Sequence, residues 1–200
     1  ALRTATTGNL RDVAVGTQAL YANTTGHSNV AIGMNAMYYN TTGAENVAVG
    51  KHALGANTTA ANNTAVGKSA LSVNTTGTRN TAIGAYSLDA NTTGSYNNAS
   101  GYNALGANTT GASNAAFGYG ALVLNTTGDQ NTGIGRGALG ANTTAAYNTA
   151  IGYGTLPANT TGASNTAVGT AALASNVTGT QNVAMGHNSM LANTGSYNTS

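Results

Sequence analysis

Residues 46–62, NVAVGKHALGANTTAAN, are followed without a break by residues 63–79, NTAVGKSALSVNTTGTR. Aligned, the two stretches agree at the leading Asn, at A-V-G, at A-L and at N-T-T, and they define a 17-residue unit N-T-A-V-G-x-x-A-L-x-x-N-T-T-G-x-x. Working outward in both directions, the unit holds phase. Ten full copies run over residues 12–181, and an eleventh, one residue short, begins at Asn182. Self-similarity at a short fixed period means one supersecondary rung repeated along an axis, each rung buried by its neighbours.

The columns of the alignment have a physical meaning. With the leading Asn as position 1, position 3 is Ala in every copy except at Gly133, and position 5 is always Gly, as at Gly33, Gly50, Gly67 and Gly84. Position 4 is usually Val or Ile, and position 9 is Leu in nine copies and Met in two, Met37 and Met190. Adjacent residues of a strand point to opposite faces, so positions 2 and 4 share one face and position 3 takes the other. The larger side chains at positions 4 and 9 are expected to fill the interior, with the Ala strip facing outward against an identical chain. Gly at position 5 and N-T-T-G at positions 12–15 read as turns. Gly and β-branched Thr pairs in so short a unit leave no room for a stable helix pair. The expected fold is all-β, a parallel β-solenoid or β-roll of 17-residue rungs about 4.8 Å apart.

Stacking in register brings like residues together. The position-12 column, which includes Asn40, Asn57, Asn74, Asn91 and Asn108, and the position-1 Asn column are expected to bond amide to amide between rungs. Asp12 takes the Asn place at one end. In one weak rung, Asn98 and Ser100 replace the usual Val/Thr and Val/Ile, and Phe117 in the next is expected to fill the volume that Ser100 leaves. Partial copies are read over residues 1–11 and 182–200. With neither an initiator Met nor a polar capping unit, the whole is expected to be one repetitive segment of a longer fibre.

Composition narrows the function. Charged residues make up 5% of the chain, against roughly a quarter in ordinary domains. The net charge of +2 comes from scattered groups, so no basic run is available for nucleic acid. There is no Cys, and the apolar runs are too short for membrane insertion. Asp12, Glu45, Asp89 and Asp129 fall in different copies, as do His27, His52 and His187. That dispersal offers no catalytic acid–base pair, no metal triad and no cofactor site. An enzyme is therefore not expected. The N-T-T triplets match the glycosylation acceptor pattern, but they read better as rung corners.

One exposed column has recognition chemistry: Tyr102, Tyr119, Arg136 and Tyr153 at position 6, with Tyr86 one residue along. Tyr and Arg there could stack on the rings of a cell-surface glycan or on a protein receptor, or could stabilise the stack through neighbour contacts.

The segments Asn29-Val30-Ala31-Ile32-Gly33 and Asn46-Val47-Ala48-Val49-Gly50 resemble the S-V-A-I-G core of head repeats in trimeric autotransporter adhesins of the YadA type. The longer unit with A-L-x-x-N-T-T-G also resembles repeats of phage-type tail-fibre proteins. The resemblance covers nearly the whole chain, although the period is longer than the adhesin unit. It implies a left-handed roll, a homotrimer and an extracellular role in attachment at a cell surface or on a phage-like fibre. An alternative function is an ice- or crystal-binding solenoid using Thr columns; a polysaccharide-processing β-helix ranks third.

Overall fold

The computed structural model describes residues 11–200; the partial copy read over residues 1–11 therefore lies, but for Arg11, outside the described residues. The chain is an all-β solenoid. Eleven three-residue strands, from β1 (Val13–Val15) to β11 (Val183–Met185), pair in parallel in strictly sequential order as one sheet. Like residues pair at every step, Val13 with Val30, Ala14 with Ala31 and Val15 with Ile32. Residue 199 begins a further layer through a bridge between Val183 and Thr199.

Only positions 2–4 of each rung are strand; the rest is a chain of corners that is nonetheless hydrogen-bonded from rung to rung. Leu20 N donates to Ala36 O at 3.0 Å, Asn35 N to Thr17 O at 2.9 Å and Glu45 N to His27 O at 3.0 Å. The corners are cut by left-handed backbone at positions 5, 7, 9 and 17. Position 9 is Leu or Met at φ between 48° and 52° in the ten copies from Met37 to Met190, a conformation that L-residues avoid. It persists because the ladder and the burial of each Leu hold it there. The position-5 Gly goes further, to φ 134° at Gly33, where a Cβ would stand 2.6 Å from Gly50 O. No other residue fits that point.

The strand faces are the reverse of the sequence expectation. Ala31, Ala48, Ala65 and their equivalents are fully buried, while positions 2 and 4 face outward, with Val15 56% and Ile83 45% exposed. The reason is the width of the rung. A Cβ built on Gly133 at position 3 lies 3.3 Å from Leu122 Cγ and 3.4 Å from its Cδ1, so a methyl fills the space between strand and Leu column. A Val or Ile would have to displace the Leu stack. The core is thus Ala at positions 3 and 8 against Leu or Met at position 9. Phe117, in β7 (Ala115–Phe117), consequently lies on the outer face, 38% exposed beside Ser100 of β6 (Asn98–Ser100), and fills no interior volume.

Two buried Asn columns complete the interior. At position 12, Asn40 Nδ2 donates to Asn23 Oδ1 at 3.0 Å, Asn57 to Asn40 at 2.8 Å, Asn74 to Asn57 at 3.3 Å, Asn91 to Asn74 at 2.9 Å and Asn108 to Asn91 at 2.9 Å. The second Nδ2 proton goes to the position-15 carbonyl of the same rung, as from Asn40 to Gly43 O at 3.0 Å. At position 1, Asn46 N donates to Asn29 Oδ1 at 3.0 Å, while Asn29 Nδ2 reaches the same Gly43 O at 2.9 Å. One carbonyl with two lone pairs therefore receives both columns. Buried and with both amide protons used, these position-12 side chains offer no accessible nitrogen for glycosylation in the folded rung.

Candidate recognition groove

The residues just after the position-5 Gly emerge at the edge of the sheet, where successive copies place side chains one above another at the rung spacing. Six rungs there carry a continuous run of aromatic and cationic groups. Lys68 Nζ lies 5.0 Å from the Tyr86 ring centroid, and its interaction with the Tyr86 hydroxyl pushes the ammonium pKa up. Tyr86 meets Tyr102 edge-on at 5.9 Å and 75°, and Tyr102 stacks on Tyr119 at 5.4 Å and 10°. The Arg136 guanidinium sits between two rings, 5.6 Å from Tyr119 and 5.8 Å from Tyr153. All five residues singled out from the sequence, Tyr86, Tyr102, Tyr119, Arg136 and Tyr153, thus belong to one line. Sandwiching a cation between aromatic faces favours it electrostatically and fixes the orientation of its fork.

Behind this line runs a furrow, between the position-7 column and positions 10 and 11. One part, about 340 Å³, is bounded by Tyr119, Arg136, Leu124 and Pro157 and floored by Gly120, Gly137 and Gly140. Gly120, Gly137 and Gly154 occupy position 7 at φ 62°, 66° and 56°. Backbone geometry does not require glycine there, since Gln18, Asn35 and Ala171 adopt φ 57°, 58° and 56° at the same position. A Cβ at any of the three would meet nothing within 4 Å. What these glycines do is leave the floor clear beside the Tyr–Arg line.

A separate hollow between the same rung positions, about 510 Å³, lies among the early rungs. Its wall is Tyr38, stacked on Tyr21 at 5.1 Å and 2°, with Tyr39 edge-on to it at 4.6 Å and 83°. Gln18, Asn35, His52 and Ser69 line the opposite side. Reading for charge and position 6 misses this cluster. The available signal was Tyr at position 10 in two consecutive copies, Tyr21 and Tyr38.

The acidic residues stay apart, and no group of three or more His, Cys, Asp or Glu able to hold a metal occurs among the described residues. Burial pushes the carboxyl of Asp12 above its usual value, although it accepts Asn29 N–H at 2.7 Å; burial does the same at Asp89. No helix among the described residues is long and apolar enough to cross a membrane. Compared with family models, with curated proteins and with solved structures, the chain finds no match.

Proposed function

We propose that this chain is a structural segment of an extracellular fibre, the shaft or head of a tail fibre, adhesin or surface appendage, and that it serves attachment. The observation that carries the reading is the unbroken 17-residue register, with hydrogen bonds between rungs on every side and two Asn columns through the interior. Bending such a stack breaks several buried bonds at once, so the body is stiff along its axis. A stiff body holds both hollows at fixed places along the axis, and weak contacts on identical chains add through multivalency.

The outward columns at positions 2 and 4 support self-association. Position 4 forms an apolar column along the solenoid, with Val15, Ile32, Ile83, Ile134 and Ile151 among its exposed members, beside a mixed Val and Thr column at position 2. Long exposed strips of this kind mark interfaces. A head-to-tail contact between copies through this face would close into a ring. A homotrimer is the expected assembly. Native mass spectrometry should then give three times the 19.6 kDa chain mass, and Ile83→Lys with Ile134→Lys should return it to one. A single-chain mass at micromolar concentration, with no rods in electron micrographs, would overturn the reading.

The same strip favours a second reading. Thr64, Thr81, Thr132, Thr149 and Thr166 stand at position 2 beside Val or Ile on a single sheet face, a paired array of the kind that binds ice. The position-13 Thr column does not supply it, because those hydroxyls bond within the stack, as Thr41 Oγ1 does to Thr58 O at 3.1 Å. Thermal hysteresis of the purified chain would favour this function over attachment.

A further inference from the structure

We propose that the hollow at Tyr38 and Tyr39 is a binding site for a neutral saccharide. Tyr39 is the first reason. Position 11 is Ala in neighbouring copies, at Ala22, Ala56 and Ala90, so the fold asks only for a methyl there. Tyr39 instead holds a ring 58% exposed, braced edge-on by Tyr38, which is itself stacked on Tyr21. A rigid, presented aromatic face accepts the C–H face of a pyranose.

The floor beside that face is open. Gly55 follows Tyr38 in the position-10 column, where Ser72, Asp89 and Val123 show that side chains are accommodated. Gly55 has no left-handed φ to require glycine, and an added Cβ would meet nothing nearer than His52 O at 3.2 Å. Opposite stand Gln18, Asn35, His52 and Ser69, all at position 7 with φ between 56° and 59°, so successive rungs aim an amide, an amide, an imidazole and a hydroxyl along one line. Rungs ~4.8 Å apart are spanned by hydroxyls at opposite ends of one pyranose ring. Asn35 Oδ1 is buried and accepts no hydrogen bond from the described residues. An orphaned buried acceptor is uncommon in a folded protein, and a turn of the Asn35 amide would bring it out to a ligand hydroxyl.

The lining selects among ligands. It contains no carboxylate, ammonium or guanidinium, which argues against an anionic or cationic ligand. A peptide adding as a strand would need free backbone groups, but Asn35 N, His52 N and Ser69 N are bonded to the preceding rung at 2.9, 3.0 and 2.9 Å. Hydroxyls recognised by side-chain amides, with one stacked ring, remain. The site supplies a ligand class for the attachment role and rests on that reading, but its occupancy does not depend on how many chains associate.

The test is a titration of the full chain with maltotriose, cellotriose, mannotriose and chitotriose. Tyr fluorescence reports binding cleanly because the chain has no Trp. At least one trisaccharide is expected to bind with a millimolar or tighter Kd. Tyr39→Ala, which installs the residue found at the same position in the neighbouring rungs, should weaken it about tenfold or more. Asn35→Ala should weaken it as well, while Tyr153→Ala, in the Tyr–Arg line, should not. No binding by any of the four, or equal binding by Tyr39→Ala, overturns the site. Tighter binding of trigalacturonate would overturn it too, moving recognition to Arg136. A trimer by native mass that binds no saccharide sinks this proposal and leaves the fibre; a saccharide-binding single chain does the opposite.

Discussion

The corner closed by Gly94 and the corner closed by Ala60 differ by one methyl group, and the difference shows what holds the rungs together. At Gly94, Thr92 N and Thr93 N both donate to Thr109 O, at 2.9 and 3.3 Å, and the Thr92 hydroxyl joins them at 3.1 Å. At Ala60, Thr58 N stands 3.5 Å from Thr75 O, its hydroxyl 3.4 Å, and Thr59 N makes no such bond among the described residues. The Asn link above this corner, Asn74 to Asn57, is stretched to 3.3 Å. Ala145 repeats the pattern in part: Thr143 N and its hydroxyl donate to Thr160 O at 3.1 and 3.2 Å, and Thr144 N makes no such bond among the described residues.

Glycine at position 15 is not there for its φ, which lies in the ordinary region. It is there because a Cβ runs into the next rung: one built on Gly111 lies 2.5 Å from both Gly128 O and Asn108 Oδ1. Ala60 and Ala145 carry that methyl and the corner gives way. The position-12 column fails outright only at the short copy, where Asn193-Thr194-Gly195 has one residue fewer than a full corner. There Asn176 Oδ1 is left buried without a partner. Asn193 Nδ2 instead donates to Gly195 O at 3.3 Å.

The largest test of this comparison removes the column beneath a well-made corner. Asn91→Ala leaves Asn74 Oδ1 without its donor, strands a proton of Asn108 and takes one of two donors from Gly94 O. A loss of about 3–5 kcal/mol is expected, at 1–3 kcal/mol per orphaned group, read from denaturant unfolding. A loss below about 1 kcal/mol would mean that the column is incidental to stability. Next in size is Gly94→Ala, which transplants the Ala60 condition. It should cost about 1–2 kcal/mol and speed exchange of the Thr92 and Thr93 amides, while Ala60→Gly slows that of Thr58 and Thr59. If Thr58 exchanges no faster than Thr92 before mutation, the two corners are equivalent and the contrast collapses.

The smallest effect belongs to the end of the other column, where Asp12 replaces Asn. Burial raises its native pKa above the unfolded value of 3.8, and that of Asp89 likewise. The folded chain therefore binds these protons more tightly. The resulting stabilisation is full below the unfolded value and is lost as pH rises through the higher native one. Melting temperature should fall slightly from about pH 3 to 6, and Asp12→Asn should flatten the slope. A slope unchanged by that substitution would assign the effect elsewhere.

The repeat alone determined much of this molecule. An invariant 17-residue spacing forces like residues into register once any rung stacks on another, because every ladder bond repeats at the same offset. The Asn and Leu columns and the line from Tyr86 to Tyr153 follow from that register. Tertiary structure alone decided which strand face is inside. Alternation fixes that Ala31 opposes Val30 and Ile32, but not which side has room, and the Leu column leaves space for a methyl only. The hollow among the early rungs is equally a product of the closed rung. Positions 7, 10 and 11 are near neighbours in sequence, but it took the left-handed turn at Leu or Met to set Asn35 across from Tyr38 and Tyr39 with an open floor between them.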